Sequence, residues 1–169
     1  MFGRFVGATR RNHALEHATI AVLLGKLGPS LRLIGRATRD GFYVYGDVPS
    51  DVLQEAATEA LGRLKGGEAH LAVSPLCGTN IAVSGILAGV SSVVAMGPQD
   101  RREDRLPNVL LASMVAVLAA QPIGRLIQKY LTTSPDLKRF EIRGVRQGDN
   151  SLGRFHKVET GQGPVIASP

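Results

Sequence analysis

Two histidines and a glutamate carry the most pointed chemistry in this chain: His13, Glu16 and His17, in the order H-x-x-E-H within Asn12-His13-Ala14-Leu15-Glu16-His17-Ala18. Residues three and four apart share one face of a helix. Both imidazoles can therefore reach toward one point, with the carboxylate beside them. Two imidazoles so spaced suit Zn2+, and a glutamate beside them can act as base toward a water the metal activates. The plainer reading of the same letters is a solvent-facing polar stripe, with Glu16 paired to Arg10, Arg11 or a protonated histidine.

A zinc site needs a third protein ligand, and catalysis needs a further open position. The candidates are His70, Cys77, His156, Glu159, and the pair Glu55 and Glu59, one helical turn apart. A thiolate beside two imidazoles is an established zinc set, and Cys77 falls near a helix start, where a thiol pKa is lowered. As packing, Cys77 is simply a small buried residue at the edge of an apolar segment. Glu55 and Glu59 read equally as solvated charge, Glu59 being four residues before Arg63.

The elements that must position these residues follow from periodicity and breakers. A helix is expected over Arg10–Leu27, with Leu15, Ala18 and Val22 on its apolar stripe and Gly28-Pro29 to stop it. Met1–Thr9 reads as a separate short segment at a surface. Leu31–Ala37 and Phe42–Val48 read as two strands around Arg39-Asp40-Gly41, whose Asp-Gly between apolar runs is a type I′ hairpin signal. Ser50 onward reads as a second helix with the series Leu53, Ala56, Ala57, Ala60, Leu61, Leu64, ended by Gly66-Gly67. Ala69–Val73 reads as a short strand carrying His70. Late in the chain, Leu137–Val145 and Arg154–Thr160 read as strands, with a loop over Gln147–Gly153 and a disordered tail from Gly161 to Pro169.

Between the two strand regions lies different material. No charged residue occurs between Leu71 and Gln99, and Leu106–Gly124 is also free of charge. Either run is long enough to cross a bilayer as a helix, which takes about 20 apolar residues. The first contains Gly85-Ile86-Leu87-Ala88-Gly89, a G-x-x-x-G pattern of close helix packing, and the second carries Ala112, Ala116 and Ala120 at the same spacing. The expected fold is therefore an α+β membrane protein. A small mixed α/β cytoplasmic domain (helix, hairpin, helix, strand, C-terminal hairpin) is joined to a two-helix transmembrane hairpin. The expected boundaries are 1–76, 77–130 for the hairpin, 131–160 returning to the soluble domain, and 161–169 for the tail.

Net charge is +6 over 169 residues, with 44% hydrophobic and 5% aromatic content. Nine Lys and Arg precede Cys77, three lie between the spans and eight follow Gly124. That asymmetry places both termini in the cytoplasm by the positive-inside rule and makes an anionic leaflet the expected partner. Without a basic run or aromatic interleaving, nucleic acid is not an expected partner. The single cysteine permits no internal disulfide, and Met1–Arg11 lacks the apolar core of a signal peptide.

Two resemblances add to this. His13 to His17 matches the inverzincin signature and resembles the pitrilysin and insulinase peptidases over those five residues. The resemblance implies His13 and His17 as zinc ligands and Glu16 as the base. Arg11-Asn12-His13-Ala14-Leu15-Glu16-His17-Ala18-Thr19, followed by Cys77-Gly78-Thr79-Asn80 and two apolar spans, resembles a family of small bacterial membrane proteins of unknown function. It implies the membrane architecture in a bacterial inner membrane and no particular activity. The functional expectation is a metal-dependent hydrolase or peptidase; the alternative is a non-catalytic adaptor or accessory subunit bound to a membrane-protein partner.

Overall fold

The computed structural model describes residues 2–97, 103–150 and 153–163 of the chain. They form two compact units, one of Met1–Ser74 with Lys129–Pro169 and one of Pro75–Gln128.

The first unit is a four-stranded antiparallel sheet with two helices. Helix α1 (Phe2–Leu27) starts at Phe2 rather than Arg10, so the segment expected to stand apart forms its first turns. Thr9, the capping type that precedes Arg10, instead donates its hydroxyl back to Phe5 O at 3.3 Å, and no proline stops the helix there. Ala14, Leu15, Ala18, Val22 and Leu23 are buried at helical spacing. Gly28, at φ 95°, ends the helix and donates to Leu24 O at 3.0 Å. Helix α2 (Ser50–Lys65) buries Leu53, Ala56, Ala57, Ala60, Leu61 and Leu64, the series legible in the sequence. Asp51 in its first turn and Arg63 and Lys65 in its last complement the helix dipole.

Strands β1 (Ile34–Thr38), β2 (Gly41–Tyr45), β3 (Phe140–Asn150) and β4 (Gly153–Gln162) lie in the order β1-β2-β4-β3. The first hairpin differs from expectation. Thr38 pairs with Gly41, so the loop is Arg39-Asp40. A type I′ turn needs positive φ at both loop residues, and among the described residues only glycines have it. Gly41, at φ 147°, instead opens β2 where a Cβ would run into the Val158 carbonyl of β4. Its lack of a side chain thus serves strand approach rather than the turn. The turn is held by Asp40, whose carboxylate accepts from Lys157 Nζ and Thr38 Oγ1, both at 2.9 Å. Those two bonds hold its carboxyl below the ordinary aspartate range.

Two further expectations are corrected. Ala69–Val73 is not a strand: Ala69–Ala72 is a 3-10 turn. Its amides are satisfied locally, Leu71 N donating to Glu68 O and Val73 N to His70 O, both within 3.2 Å. The expected loop over Gln147–Gly153 is mostly strand, because β3 and β4 stay paired out to Asn150 and Gly153. β4 runs on to Gln162, and residues 164–169 of the expected tail lie outside the described residues. Phe42 pairs with Val158 and Val44 with His156 across β2 and β4. Phe42, Val44 and Val158 join Leu15, Leu23 and Leu53 in the core. Phe155, Tyr43 and Tyr45 alternate to the opposite face and pack on one another, with Tyr43 and Phe155 centroids 5.4 Å apart.

The second unit is a helical hairpin. Helix α3 (Gly78–Met96) and helix α4 (Leu106–Ile127), which continues as a π turn to Thr132, are both long and apolar enough to cross a membrane. Much of their apolar surface is exposed: Ile81, Val93, Val94 and Leu118 are each more than 70% accessible. Between the helices Ser92 Oγ and Ser113 Oγ are 2.8 Å apart. Asn80, buried at the other end, accepts from Gln128 Nε2 at 2.9 Å and donates to Pro75 O. Gly124 makes room for Asn80, since a Cβ there would meet its side-chain oxygen. The G-x-x-x-G expectation is overturned in its residues: nothing lies within 4 Å of a Cβ built on Gly85 or Gly89. Ala120 and Gly124 of α4 are the small buried residues instead.

Candidate metal centre

The geometry starts with how α1 is rotated. Asn12 is fully buried, and its Nδ2 donates to the carbonyls of Thr38 at 2.8 Å and Arg39 at 3.0 Å. Its Oδ1 accepts from Thr160 Oγ1 of β4 at 2.7 Å. One amide thus joins the helix to two strands, with its own buried polar atoms satisfied. On the next turn, Glu16 lies against β1 at Gly35, where any Cβ would occupy the position of its carboxylate.

The two imidazoles come together, their ring centroids 4.3 Å apart and a ring nitrogen of each within 4.8 Å of the other's. Each is steered from behind by a main-chain carbonyl. His13 Nδ1 donates to Thr132 O at 3.0 Å, and His17 Nδ1 donates to Ala72 O at 2.8 Å. A carbonyl only accepts, so both Nδ1 atoms carry the proton, and in the neutral ring of each histidine the lone pair is on Nε2. His17 is buried, and its Nε2 has no hydrogen-bond partner among the described residues. His13 Nε2 stands 3.8 Å from Glu16 Oε2. Burial pushes the Glu16 carboxyl up to about 7, against a smaller downward pull from His13. The expected polar stripe is thus an inward-facing group, and Glu16 makes no ion pair with Arg10 or Arg11 among the described residues.

A model of the family described as a domain of unknown function, DUF6391, matches residues 8–145. The chain belongs to that family. A relative described as an uncharacterized protein of Picosynechococcus sp. (strain ATCC 27264 / PCC 7002 / PR-6) is 36% identical over 135 residues, which is 74% of this chain. This chain spans 65% of that relative's length. No solved structure matches it. The expected resemblance to a family without assigned activity therefore holds at that level, and the relative is bacterial.

Most of the other candidate ligands in this DUF6391 chain are engaged elsewhere. Glu55 and Glu59 both bind Lys26, at 2.8 and 2.9 Å, on the surface of α2. Glu159 pairs with Arg146 on β3. His70 is exposed on the 3-10 turn. His156 is buried on the core face of β4, with neither ring nitrogen bonded among the described residues and its pKa lowered by burial and then by Arg154. None of these five groups with the histidine pair. In the helical unit, Cys77 is buried and precedes α3, its Sγ accepting from Thr79 N at 3.4 Å. Sequence reasoning missed Ala72, Thr132 and Gly35, because two act through a carbonyl and one through having no side chain. It read Arg10 only as a possible partner for Glu16, whereas Arg10 Nη2 donates to Tyr130 O and Thr133 O, both at 2.9 Å.

Proposed function

We propose that this protein is a bilayer-anchored zinc hydrolase acting on an amide. His13 and His17 bind the metal through Nε2, and Glu16 is the general base. The observation that carries this is the pair of Nδ1–H to carbonyl bonds, which fixes both tautomers with the lone pairs on Nε2. Backbing a metal-ligating histidine with a carbonyl is the ordinary way its ring is oriented and its basicity raised. The orphaned, buried Nε2 of His17 fits a metal for the same reason. Bound zinc would supply a Lewis acid and lower the pKa of water. A carboxylate raised to about 7 suits a base that must take a proton near neutral pH.

Cys77 is the third donor in this reading. His17 is tied to Ala72 O, and Cys77 follows only five residues later, within reach of a short extended link. Two nitrogens and a thiolate make a three-ligand set with a position left open. Exposed apolar side chains along α3 and α4 support insertion of both as spans, since a soluble surface rarely carries an apolar patch of that size. The basic residues on both flanks support a cytoplasmic soluble unit facing anionic headgroups.

The test is metal content by mass spectrometry of the full chain purified in detergent. Near-stoichiometric zinc is expected in the wild type and in Glu16→Gln, and its loss in His13→Ala and Cys77→Ser. A wild type that takes up no zinc when supplied would sink the enzyme and leave a non-catalytic membrane subunit.

A further inference from the structure

Arg10 and Thr132 hold a second, unassigned feature beside the histidine pair. Arg10 lies three residues before His13 on α1, and Thr132 is the residue whose carbonyl holds His13 Nδ1. Arg10 spends both protons of Nη2 on the carbonyls of Tyr130 and Thr133, each at 2.9 Å. Its Nε is buried with no partner among the described residues, and so is Thr132 Oγ1. Among the described residues only His156, apart from these two and His17, has buried side-chain polar atoms left so. Native interiors leave few such atoms, and each points to something that binds there or to strain. Nor does a carboxylate balance Arg10 among the described residues: its partners are neutral carbonyls. A half-buried guanidinium without an anion is costly unless an anion joins it.

We propose that Arg10 Nε–H and Thr132 Oγ–H form a subsite for one anionic oxygen beside the metal pair. This rests on the zinc-hydrolase reading and deepens it. The ligand class is a carbonyl compound whose tetrahedral adduct carries that oxygen. Water adds to the carbonyl carbon, forming a C–O bond, and the C=O π pair moves onto the oxygen held by Arg10 and Thr132. The proton lost by the water passes to Glu16. The two donors favour the adduct over the neutral carbonyl, because charge-assisted bonds to an oxyanion are stronger than those to an uncharged carbonyl oxygen. Thr132 ties the subsite to the metal pair, holding His13 with its carbonyl and presenting its hydroxyl from the same residue.

The probe is sulfate, a tetrahedral oxyanion that leaves zinc in solution, titrated calorimetrically into the full chain in detergent. One arm uses zinc-loaded protein and the other chelator-treated protein. Thr132→Val removes only the hydroxyl at nearly constant shape, whereas Arg10→Met also removes the bonds to Tyr130 and Thr133. Thr132→Val is therefore the deciding variant, with its melting temperature and zinc content as controls. The expected result is sulfate affinity reduced roughly tenfold in Thr132→Val, with melting and zinc unchanged, and abolished in Arg10→Met. Equal affinity in wild type and Thr132→Val, or no sulfate binding by the wild type in either arm, would overturn the subsite. Failure of zinc to load would refute the hydrolase reading separately. The chelator arm would then decide the anion subsite alone, kept by Thr132-dependent binding and lost without it.

Discussion

Replacing Glu16 with glutamine should stabilise the metal-free protein increasingly as pH rises above 4.5, with the full effect above about 7. Glu16 is 7% exposed as a side chain, and burial raises its carboxyl from 4.5 to about 7. A raised acid pKa means that the folded state binds the proton more tightly than the unfolded one. The full stability is present below pH 4.5, declines as pH rises through 7, and is lost above it. The gap, at about 1.36 kcal/mol per pH unit, comes to about 3 kcal/mol. Glutamine has nearly the same shape and carries no charge to desolvate. Glu16→Gln should therefore match the wild type near pH 4 and exceed it by about 3 kcal/mol at pH 8.5. For a chain of this size that corresponds to a melting temperature higher by roughly 10 °C. The assay is thermal unfolding of both proteins with chelator, followed by circular dichroism across pH 4 to 8.5. Parallel pH profiles would refute the burial argument, since the carboxylate would then cost the fold nothing. Added zinc should narrow the difference, because a cation beside the carboxylate favours its charged form.

Three further outcomes follow from the packing. Asn12→Ala removes three buried bonds and leaves the carbonyls of Thr38 and Arg39 without that donor; urea unfolding should show a loss of about 3 kcal/mol, and a loss under about 0.5 kcal/mol would contradict the pinning role. Gly124→Ala drives a Cβ into Asn80 whereas Gly85→Ala meets nothing, so denaturation in detergent should cost the first about 1–3 kcal/mol and leave the second near neutral. His156 has its pKa lowered by burial, so its contribution is intact above pH 6.5 and is lost as pH falls below it. In a Glu16→Gln background, His156→Phe should flatten the acid limb of the stability profile, and an unchanged limb would show that another group titrates there.

The elements with repeated periodicity were legible from the letters. Leu53, Ala56, Ala57, Ala60, Leu61 and Leu64 mark the buried stripe of α2, because helical spacing converts directly to a face. Short or symmetric signals misled. Ala69–Val73 is apolar and brief, so periodicity cannot separate strand from turn, and its local amide bonds decide for the turn. Asp40-Gly41 suggested a turn glycine, yet Gly41 serves the approach of Val158, more than a hundred residues away in sequence. Likewise Gly85 and Gly89 advertise helix packing that Gly124 provides, because a motif states which residues are small and not which face is used. At the site, His13, Glu16 and His17 were readable because helix geometry alone brings them together. Thr132, Ala72 and Gly35 were not, since a carbonyl or a missing side chain leaves no mark in a pattern.

Those silent contributions are what argue against a merely structural H-x-x-E-H helix. A helix needed only for packing would present apolar residues to its neighbours, as α2 does with its leucines and alanines. Helix α1 instead buries Asn12, Glu16, His17 and Thr19 among its apolar residues. Asn12 and Thr19 are satisfied by hydrogen bonds, the threonine through Leu15 O at 2.7 Å. Glu16 and His17 are held differently: Gly35 leaves space for the carboxylate, and Ala72 O aims the ring while its second nitrogen goes unbonded among the described residues. Local rules broken at one place, with distant residues arranged to sustain the breach, are expected at functional or strained sites. A packing-only helix would gain stability from apolar replacements at both positions at once. In a binding site, the same replacements trade zinc for stability, so the double variant Glu16→Leu, His17→Leu should melt higher than the metal-free wild type and take up no metal.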